Sequence, residues 1–175
     1  MLSIAPRRTL FRAAFAALAA TSAAACGGVS DDAAPRTPPV AVEKTAERAL
    51  ANAPLVTVYK DPNCGCCKQW VEHMRQNGFR VEAHDTAGVD GIKDQAGVPT
   101  AARSCHTGLV GGYAIEGHVP ADVIRRLLRE HPADVAGLAV PGMVTGSPGM
   151  EGPNPQHYDV IAFTKDGRTS VYESR

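Results

Sequence analysis

The fold is decided by the stretch LVTVYKDPNCGCCKQWVEHMRQNGFRVEAH, residues 55–84. Its first five residues are β-branched, apolar or aromatic, which is typical of a strand. Four apolar residues then recur with the spacing of one helix face: Cys67, Trp70, Val71 and Met74. Gly78 is well placed to end that helix, and apolar residues alternate with polar ones over residues 79–84. The stretch therefore predicts a strand–helix–strand unit.

The next segments continue this α/β pattern. They predict a short helix at 91–96, followed by strands at 107–110 and 113–116. The two strands flank the glycine pair 111–112, which is a hairpin signal. A helix with one apolar face follows, with Pro120 at its first position and its end near Glu130. The resulting order, βαβαββα, matches a thioredoxin-type core. We therefore predict a thioredoxin-like α/β domain over residues 54–175.

The last part of the chain predicts a long loop and a C-terminal β-hairpin. Glycine and proline interrupt every period over residues 137–157, which also carry Met143 and Met150. Strand patterns at 158–163 and 169–172 follow, and they form the hairpin. Loops of this length are either disordered or functional. Because the flanking hairpin pattern fixes both ends of this loop, we expect it to be ordered over a functional site.

The N-terminus predicts an export signal over residues 1–25. Arg7, Arg8 and Arg12 precede an Ala-rich run without acids. The run is too short and too weakly apolar for a membrane-spanning helix. Arg7 and Arg8 fit a twin-arginine signal, although paired arginines also occur in ordinary signals. Either signal places the protein in the periplasm or cell envelope.

Residues 26–53 predict a flexible tether and a short helix over 42–51. The tether begins at Cys26, which fits a lipoprotein cleavage box, with Ala23 where such boxes usually carry Leu. Lipidation of Cys26 would leave four of the five cysteines for other chemistry, and the alternative is cleavage after Ala25 or earlier. A lipid anchor is the membrane contact we expect. The 18 basic and 18 acidic residues form no basic stripe, which argues against nucleic acid as a partner.

The most informative motif is Cys64-Gly65-Cys66-Cys67 at the predicted strand-to-helix junction. Backbone N–H groups and the helix dipole at such a junction favour thiolates. Cys64 and Cys67 have the spacing of a redox-active disulfide. A dithiol exchanger has no use for Cys66, whereas an extra soft ligand helps to enclose a thiophilic ion. Copper(I) is the leading metal, and zinc fits a four-sulfur site in vitro.

Cys105 supplies a fourth thiol. In thioredoxin-like folds the entrance to the third strand, where Cys105 and His106 would lie, is opposite the start of the first helix. The four thiols are therefore expected to converge. Three interpretations remain open: a metal site, thiol redox chemistry, and structural disulfides such as one between Cys67 and Cys105.

Four further side chains are candidates around these thiols. Met143 and Met150 lie in Pro-Gly-Met triplets, and their thioethers suit copper(I), although methionine also fills gaps beneath loops. His106 and His118 could add imidazole ligands, although histidines often have structural roles. His73, on the polar face of the predicted helix, is expected to be solvated.

Four separated motifs resemble the CopG-like family of bacterial periplasmic metal-binding proteins. They are YKDPNCGCCK at 59–68, RSCHT at 103–107, EGHVPA at 116–121 and AVPGM at 139–143. The resemblance implies a thioredoxin-like fold, an association with copper resistance, and copper(I) held by the cysteine cluster.

From these observations we predict an envelope protein that binds copper(I) for sequestration, handover or resistance. The predicted metal ligands are Cys64, Cys66, Cys67, Cys105, Met143, Met150 and His106. Its partners would be the copper ion and envelope proteins of copper efflux or oxidation. Binding is favoured over turnover; the alternative is a thiol-disulfide oxidoreductase in which Cys64 attacks and Cys67 resolves.

Overall fold

The structure is a computed structural model that describes residues 39–175. The predicted export signal, Cys26 and the predicted tether up to residue 38 lie outside the described residues. The helix expected at 42–51 is present and begins at Pro39. None of the helices within residues 39–175 combines the length and the apolar character that a membrane span requires.

Helices and strands alternate along the described chain. In order they are α1 (Pro39–Ala51), β1 (Leu55–Lys60), α2 (Gly65–Gln76), β2 (Arg80–Asp85), α3 (Val89–Gln95), a 3-10 turn (Thr100–Ala102), β3 (His106–Val110), β4 (Tyr113–Glu116), α4 (Ala121–Glu130), β5 (Gly137–Ala139), β6 (Asp159–Phe163) and β7 (Thr169–Ser174). The predicted α/β order from β1 to α4 is confirmed.

The strands form a seven-stranded sheet in the order β2-β1-β3-β4-β5-β6-β7. β2 runs parallel to β1, whereas β3 is antiparallel to β1 and β4 is antiparallel to β3. This is the arrangement of a thioredoxin-type core. β5 extends it by pairing parallel to β4, and the hairpin of β6 and β7 completes the sheet.

The prediction that residues 137–157 are all loop is wrong at their start, because Gly137–Ala139 form β5. A Cβ atom at position 137 would collide with the carbonyl oxygen of Ala114 and the ring of Phe163, so glycine permits the close approach of neighbouring strands. A strand of three residues shows no period in sequence. The loop proper spans residues 140–158.

The core holds α2 and α4 against the sheet. The predicted apolar face of α2 is buried, and Trp70 Nε1 donates a hydrogen bond of 2.9 Å to the carbonyl oxygen of Val119. Gly78 follows the helix with a φ of 75°, a conformation that glycine adopts without strain. Pro120 stands immediately before α4 as its N-cap, one position earlier than predicted. These contacts fix the start of α2 beside the segment that leads into α4.

The expectation that His73 is solvated is also wrong. Its side chain is half-buried between α2 and α4, and its Nε2 accepts a hydrogen bond of 3.2 Å from the backbone nitrogen of Ala121. The N-cap Pro120 offers no side-chain acceptor, so His73 satisfies one of the free N–H groups at the start of α4.

Candidate metal centre

The turn between β1 and α2 places three cysteines at one helix end. Asp61 shapes the turn, because its side chain accepts from the backbone nitrogen of Asn63 at 2.7 Å and its carbonyl accepts from that of Cys64 at 3.1 Å. Cys64 is the N-cap of α2, and its sulfur accepts from the backbone nitrogen of Cys67 at 3.3 Å. The helix start therefore directs these sulfurs to one place.

Cys64 and Cys67 are joined by a disulfide, with their Cα atoms 5.4 Å apart. Cys67 is fully buried, whereas Cys66 is a half-buried free thiol whose sulfur lies 3.5 Å from that of Cys64. The pairing has the spacing of a redox-active disulfide and is not the Cys67–Cys105 pairing named as a structural alternative. In this form two of the four cysteines are oxidised.

Cys105 lies immediately before β3 and joins the same cluster. The sulfur atoms of Cys64, Cys66, Cys67 and Cys105 all lie within 4.8 Å of one another. Cys105 is a free thiol. The structure therefore brings together all four cysteines that the sequence analysis selected, while their role as metal ligands stays a prediction.

Two histidines also converge on Cys105. Its sulfur lies 3.2 Å from Nδ1 of His106 and 3.1 Å from Nε2 of His118. The Nδ1 atom of His118 donates a hydrogen bond of 2.8 Å to the carbonyl oxygen of Pro148. Because that carbonyl can only accept, the proton is on Nδ1 and the Nε2 lone pair faces Cys105. His118 is thus oriented as metal-bound imidazoles are in proteins.

His106 is fully buried and packs on Trp70, with ring centroids 4.5 Å apart. Its Nε2 atom has no hydrogen-bond partner within residues 39–175. A buried nitrogen without a partner is costly, and an active or ligand-binding site is one place where such an atom occurs. His106 and His118 share Cys105 as a second group of donor atoms beside the four sulfurs.

Burial sets the protonation of these side chains. It lowers the pKa of His106 well below the usual value, and the positive charges of a protonated His118 and of Lys93 add to this effect. Burial also lowers the pKa of His118. Both imidazoles are therefore neutral at neutral pH, which is the form that binds metals. Burial raises the pKa of Cys105 to about 12, and the neighbouring Cys66 adds to this effect. A metal ion that binds Cys105 must displace its proton.

The long loop is anchored beside this cluster through both Pro-Gly-Met triplets. In the first triplet, the backbone nitrogen of Gly142 donates to the carbonyl oxygen of Arg103 at 3.1 Å, and its carbonyl accepts from the hydroxyl of Ser104. In the second, Pro148 accepts the bond from His118, and Gly149 packs against the backbone of α2. The loop therefore lies over the cluster, as its length and fixed ends predicted.

The two methionines follow these anchored glycines. Met143 is 51% exposed, whereas Met150 is half-buried, and its backbone nitrogen donates to the carbonyl oxygen of Ser147 at 2.8 Å. Each residue directly follows a glycine that anchors the loop beside the cluster, Gly142 at residues 103–104 and Gly149 on α2. Their thioethers as copper ligands stay a prediction.

A buried polar network beside Cys105 was missed in the sequence. Lys93 and Glu116 are buried and form an ion pair of 2.6 Å, and Glu116 also accepts from the backbone nitrogen of Ser104 at 2.6 Å and from the hydroxyl of Thr107 at 2.7 Å. Lys93 lies on a short helix and Glu116 ends a short strand. No local pattern separates them from ordinary surface charges.

The donor set suits a soft metal ion. It consists of four sulfurs and two neutral imidazoles, and neither group of donors includes a carboxylate. Thiolates and imidazoles favour copper(I) and zinc, whereas magnesium and calcium require oxygen ligands. In the form with the Cys64–Cys67 disulfide, Cys66, Cys105 and the imidazoles are the free donors. Reduction of the disulfide completes the four-thiol set.

Fold and site together define a thioredoxin-like α/β protein with a cysteine–histidine cluster of the kind that holds soft metal ions. Two solved structures, both of a protein named copper resistance protein copG, are similar to it. Form 2 is 43% identical with a TM-score of 0.67, and the match covers 71% of this chain and 99% of that one. Form 1 is 44% identical with a TM-score of 0.65, and the match covers 69% of this chain and 96% of that one.

The chain belongs to the CopG-like family, which confirms the resemblance found in its sequence motifs. A family profile described as a protein of unknown function, DUF411, matches residues 102–150. That segment includes Cys105, both candidate histidines and both Pro-Gly-Met triplets. Among curated proteins, no sequence matches the chain significantly.

Proposed function

We propose that this chain is a cell-envelope copper(I)-binding protein that acts in copper sequestration, handover or resistance. The observation that carries this proposal is the convergence of four cysteine sulfurs within 4.8 Å of one another, with Cys105 shared by two imidazoles. The two related structures bear the name copper resistance protein, which supports the choice of copper.

Copper(I) is the cargo of the reduced site. A dithiol reductant, which is itself oxidised to a disulfide, would pass two electrons and two protons to the Cys64–Cys67 disulfide and free the two thiols that the oxidised form lacks. Four sulfurs then face the ion or ions. Met143 and Met150 cap the site from the loop, and His106 adds an imidazole. Each thiol releases its proton to solvent as it binds the ion as a thiolate. Zinc competes for the same sulfurs in vitro, because affinity alone selects copper only where copper is available.

The proposed location rests on the N-terminal sequence. An export signal over residues 1–25 takes the protein to the periplasm, and Cys26 is the residue that a lipid anchor would modify. Envelope proteins of copper efflux or oxidation are the partners that such a location offers.

A second candidate function is thiol-disulfide exchange, which the Cys64–Cys67 disulfide at a helix start favours. In the reduced protein Cys64 would attack a substrate disulfide and form a mixed disulfide. Cys67 would then displace the substrate thiol, so that two electrons pass to the substrate and the Cys64–Cys67 disulfide forms. Cys66 has no part in these steps.

Cys66 therefore separates the two functions. We would measure metal content and free thiols of the full chain purified from the envelope of copper-exposed cells, comparing wild type with Cys66→Ser. Gln69→Ser is the matched control, because Gln69 is an exposed residue of the same helix and lies outside the cysteine cluster. Copper binding predicts stoichiometric copper in wild type and Gln69→Ser, and a clear loss in Cys66→Ser. A metal-free wild type with a reversible Cys64–Cys67 disulfide, and reductase activity unchanged in Cys66→Ser, overturns the copper proposal and supports the exchange enzyme.

A further inference from the structure

The ion pair of Lys93 and Glu116 is buried inside the domain, beside the cluster. Lys93 is 3% exposed and Glu116 is wholly buried. Replacing such a pair with apolar side chains of similar volume is often neutral or stabilising, so burial of these charges is weak evidence for a purely stabilising role. Their position relative to Cys105 gives a more specific reason for their presence.

Glu116 gathers hydrogen bonds from three parts of the chain. Its Oε1 accepts from Lys93 Nζ on α3 and from the backbone nitrogen of Ser104, both at 2.6 Å, and its Oε2 accepts from the Thr107 hydroxyl on β3 at 2.7 Å. Lys93 also donates to Thr107 at 3.2 Å. Each polar side-chain atom of this network therefore has at least one hydrogen-bond partner within it.

The bond to Ser104 matters because the backbone there has no sheet partner. Residues 103–105 lie between the 3-10 turn and β3 and belong to neither. Ser104 also packs against Gly117, where an added Cβ would approach its side chain to 2.6 Å. Glu116 thus holds the backbone nitrogen of the residue immediately before Cys105, while Gly142 of the long loop contacts the hydroxyl of the same residue.

We propose that Glu116 is a positioning residue for the metal site, whose carboxylate holds the backbone of Ser104 and thereby fixes the Cys105 sulfur where the two groups of donors meet. Lys93 balances the charge of this carboxylate, and Thr107 occupies its second oxygen. The inference rests on the proposed function, because it assigns Glu116 to the copper(I) site that Cys105 joins.

Two double variants distinguish the positioning of Ser104 by Glu116 from the effect of the buried charges and from a general loss of stability. Lys93→Met with Glu116→Gln removes both charges, but the amide oxygen still accepts from the backbone nitrogen of Ser104. Lys93→Met with Glu116→Leu removes the same charges and also the acceptor. Neither variant leaves a buried charge without a partner, which is the change that makes single substitutions in such pairs strongly destabilising.

The first measurement is copper(I) affinity of the reduced full chain, by competition with a chromophoric copper(I) chelator. We expect the Gln variant to bind within about threefold of wild type. We expect the Leu variant to bind about 10–100-fold more weakly, the usual effect of losing a residue that orients a metal ligand. Equal affinity in the two double variants overturns the proposal.

The second measurement needs no copper. In the metal-free protein with the Cys64–Cys67 disulfide, iodoacetamide alkylation of Cys105 is followed by peptide mass spectrometry, with Cys66 in the same sample as the reference. We expect Cys105 to be alkylated about tenfold faster in the Leu variant than in the Gln variant, because a hydrogen bond to its segment is lost. Equal rates overturn the positioning role.

The two measurements also distinguish failure of the proposed copper(I) function from failure of the positioning role of Glu116. If wild type binds no copper(I) but Cys105 still reacts faster in the Leu variant, the copper proposal is wrong and Glu116 positions Cys105 for other chemistry. The metal-site assignment of Glu116 is then overturned along with the proposed function.

Discussion

The sulfur of Cys105 lies 3.1 Å from Nε2 of His118, while the other ring nitrogen of the same imidazole is bonded to the carbonyl of Pro148 in the long loop. One side chain therefore joins the loop to the cysteine cluster. Because the bond to Pro148 sets both the tautomer and the ring orientation, the position of the loop determines how His118 faces Cys105.

Replacing His118 tests this link directly. We expect His118→Asn to weaken copper(I) binding about 10–100-fold, because the variant removes an imidazole that either binds the ion or orients Cys105. Competition with a chromophoric chelator measures the affinity. His131→Asn is the matched control, because His131 is exposed at the opposite end of β4 and has a φ of 46° that Asn also adopts. Equal affinities in the two variants would contradict the link.

Gly149 tests the packing of the loop on α2. A Cβ at this position would lie 2.6 Å from the backbone nitrogen of Trp70 and 2.8 Å from the carbonyl oxygen of Cys66. Gly167 has almost the same φ, 83° against 82°, but no atom within 4 Å of an added Cβ. Gly167→Ala should therefore lower the free energy of unfolding by about 1–2 kcal/mol through its backbone conformation alone.

Gly149→Ala carries that conformational cost and a steric one. We expect a further loss of about 1–3 kcal/mol, the usual range for forcing atoms into a packed region. Denaturant unfolding of both variants measures the difference. If the two alanine variants are equally stable, the loop does not pack on α2 as described.

The buried His106 makes stability depend on pH. Its pKa is lowered well below 6.5 in the folded protein by burial and by neighbouring positive charge, whereas the unfolded chain titrates near 6.5. Below pH 6.5 the unfolded state therefore binds a proton that the native state excludes. The free energy of unfolding should fall with decreasing pH, by about 1.4 kcal/mol per unit for this residue, until native His106 also takes up a proton.

Denaturant unfolding of the metal-free, disulfide-bonded protein between pH 7.5 and 5 measures this slope. Asp122 and Glu151 have lowered pKa values, so they reduce stability only at more acidic pH. His73 and His118 also have pKa values lowered by burial, so they add to the slope in this pH range, and the contribution of His106 is the difference between wild type and a variant without it. His106→Phe keeps an aromatic ring against Trp70 and should lower the slope by about 1.4 kcal/mol per pH unit. An unchanged slope in this variant would show that His106 is not the residue responsible.

The methionines of the loop give a prediction about ligands rather than packing. Met150→Leu and Met143→Leu conserve side-chain volume and should each change stability by less than about 1.5 kcal/mol. If the thioethers cap copper(I), both variants should bind it more weakly, and the sulfur signal of the copper X-ray absorption spectrum should decrease. Wild-type affinity in the double Leu variant would limit the site to cysteine and histidine.

The parts of the fold that were predicted correctly have complete local periods. β1, α2 and β2 follow one another with strand and helix spacing, and Gly111–Gly112 mark the hairpin of β3 and β4. β5 was missed because three residues cannot show a period, and it forms only through pairing with β4 and β6. Residue spacing predicts elements that bury their own apolar face, whereas this strand depends on its neighbours.

The site residues also fall into those that local sequence predicts and those that depend on contacts between distant segments. The Cys64–Cys67 motif was visible because its members are adjacent, and Cys105 was placed beside it only through the expected fold. The ion pair of Lys93 and Glu116 joins residues 23 positions apart, and each looks like a surface charge. His73 was assigned to solvent because helix periodicity cannot show that α4 covers part of that face. Contacts between distant segments need the assembled sheet.

β5 and β6, which flank the long loop, are hydrogen-bonded antiparallel neighbours. The loop is therefore an excursion between two strands already held together, and its length is free to change without moving the sheet. Doubling the length of a flexible loop raises the entropic free-energy cost of closing it by only about 0.6 kcal/mol. The exposed tip at residues 152–154 lies beyond the anchored triplets. An insertion of a fluorescent or affinity label between Pro153 and Asn154 would leave the anchored triplets in place, which makes this tip the natural point of attachment for following the protein in a cell.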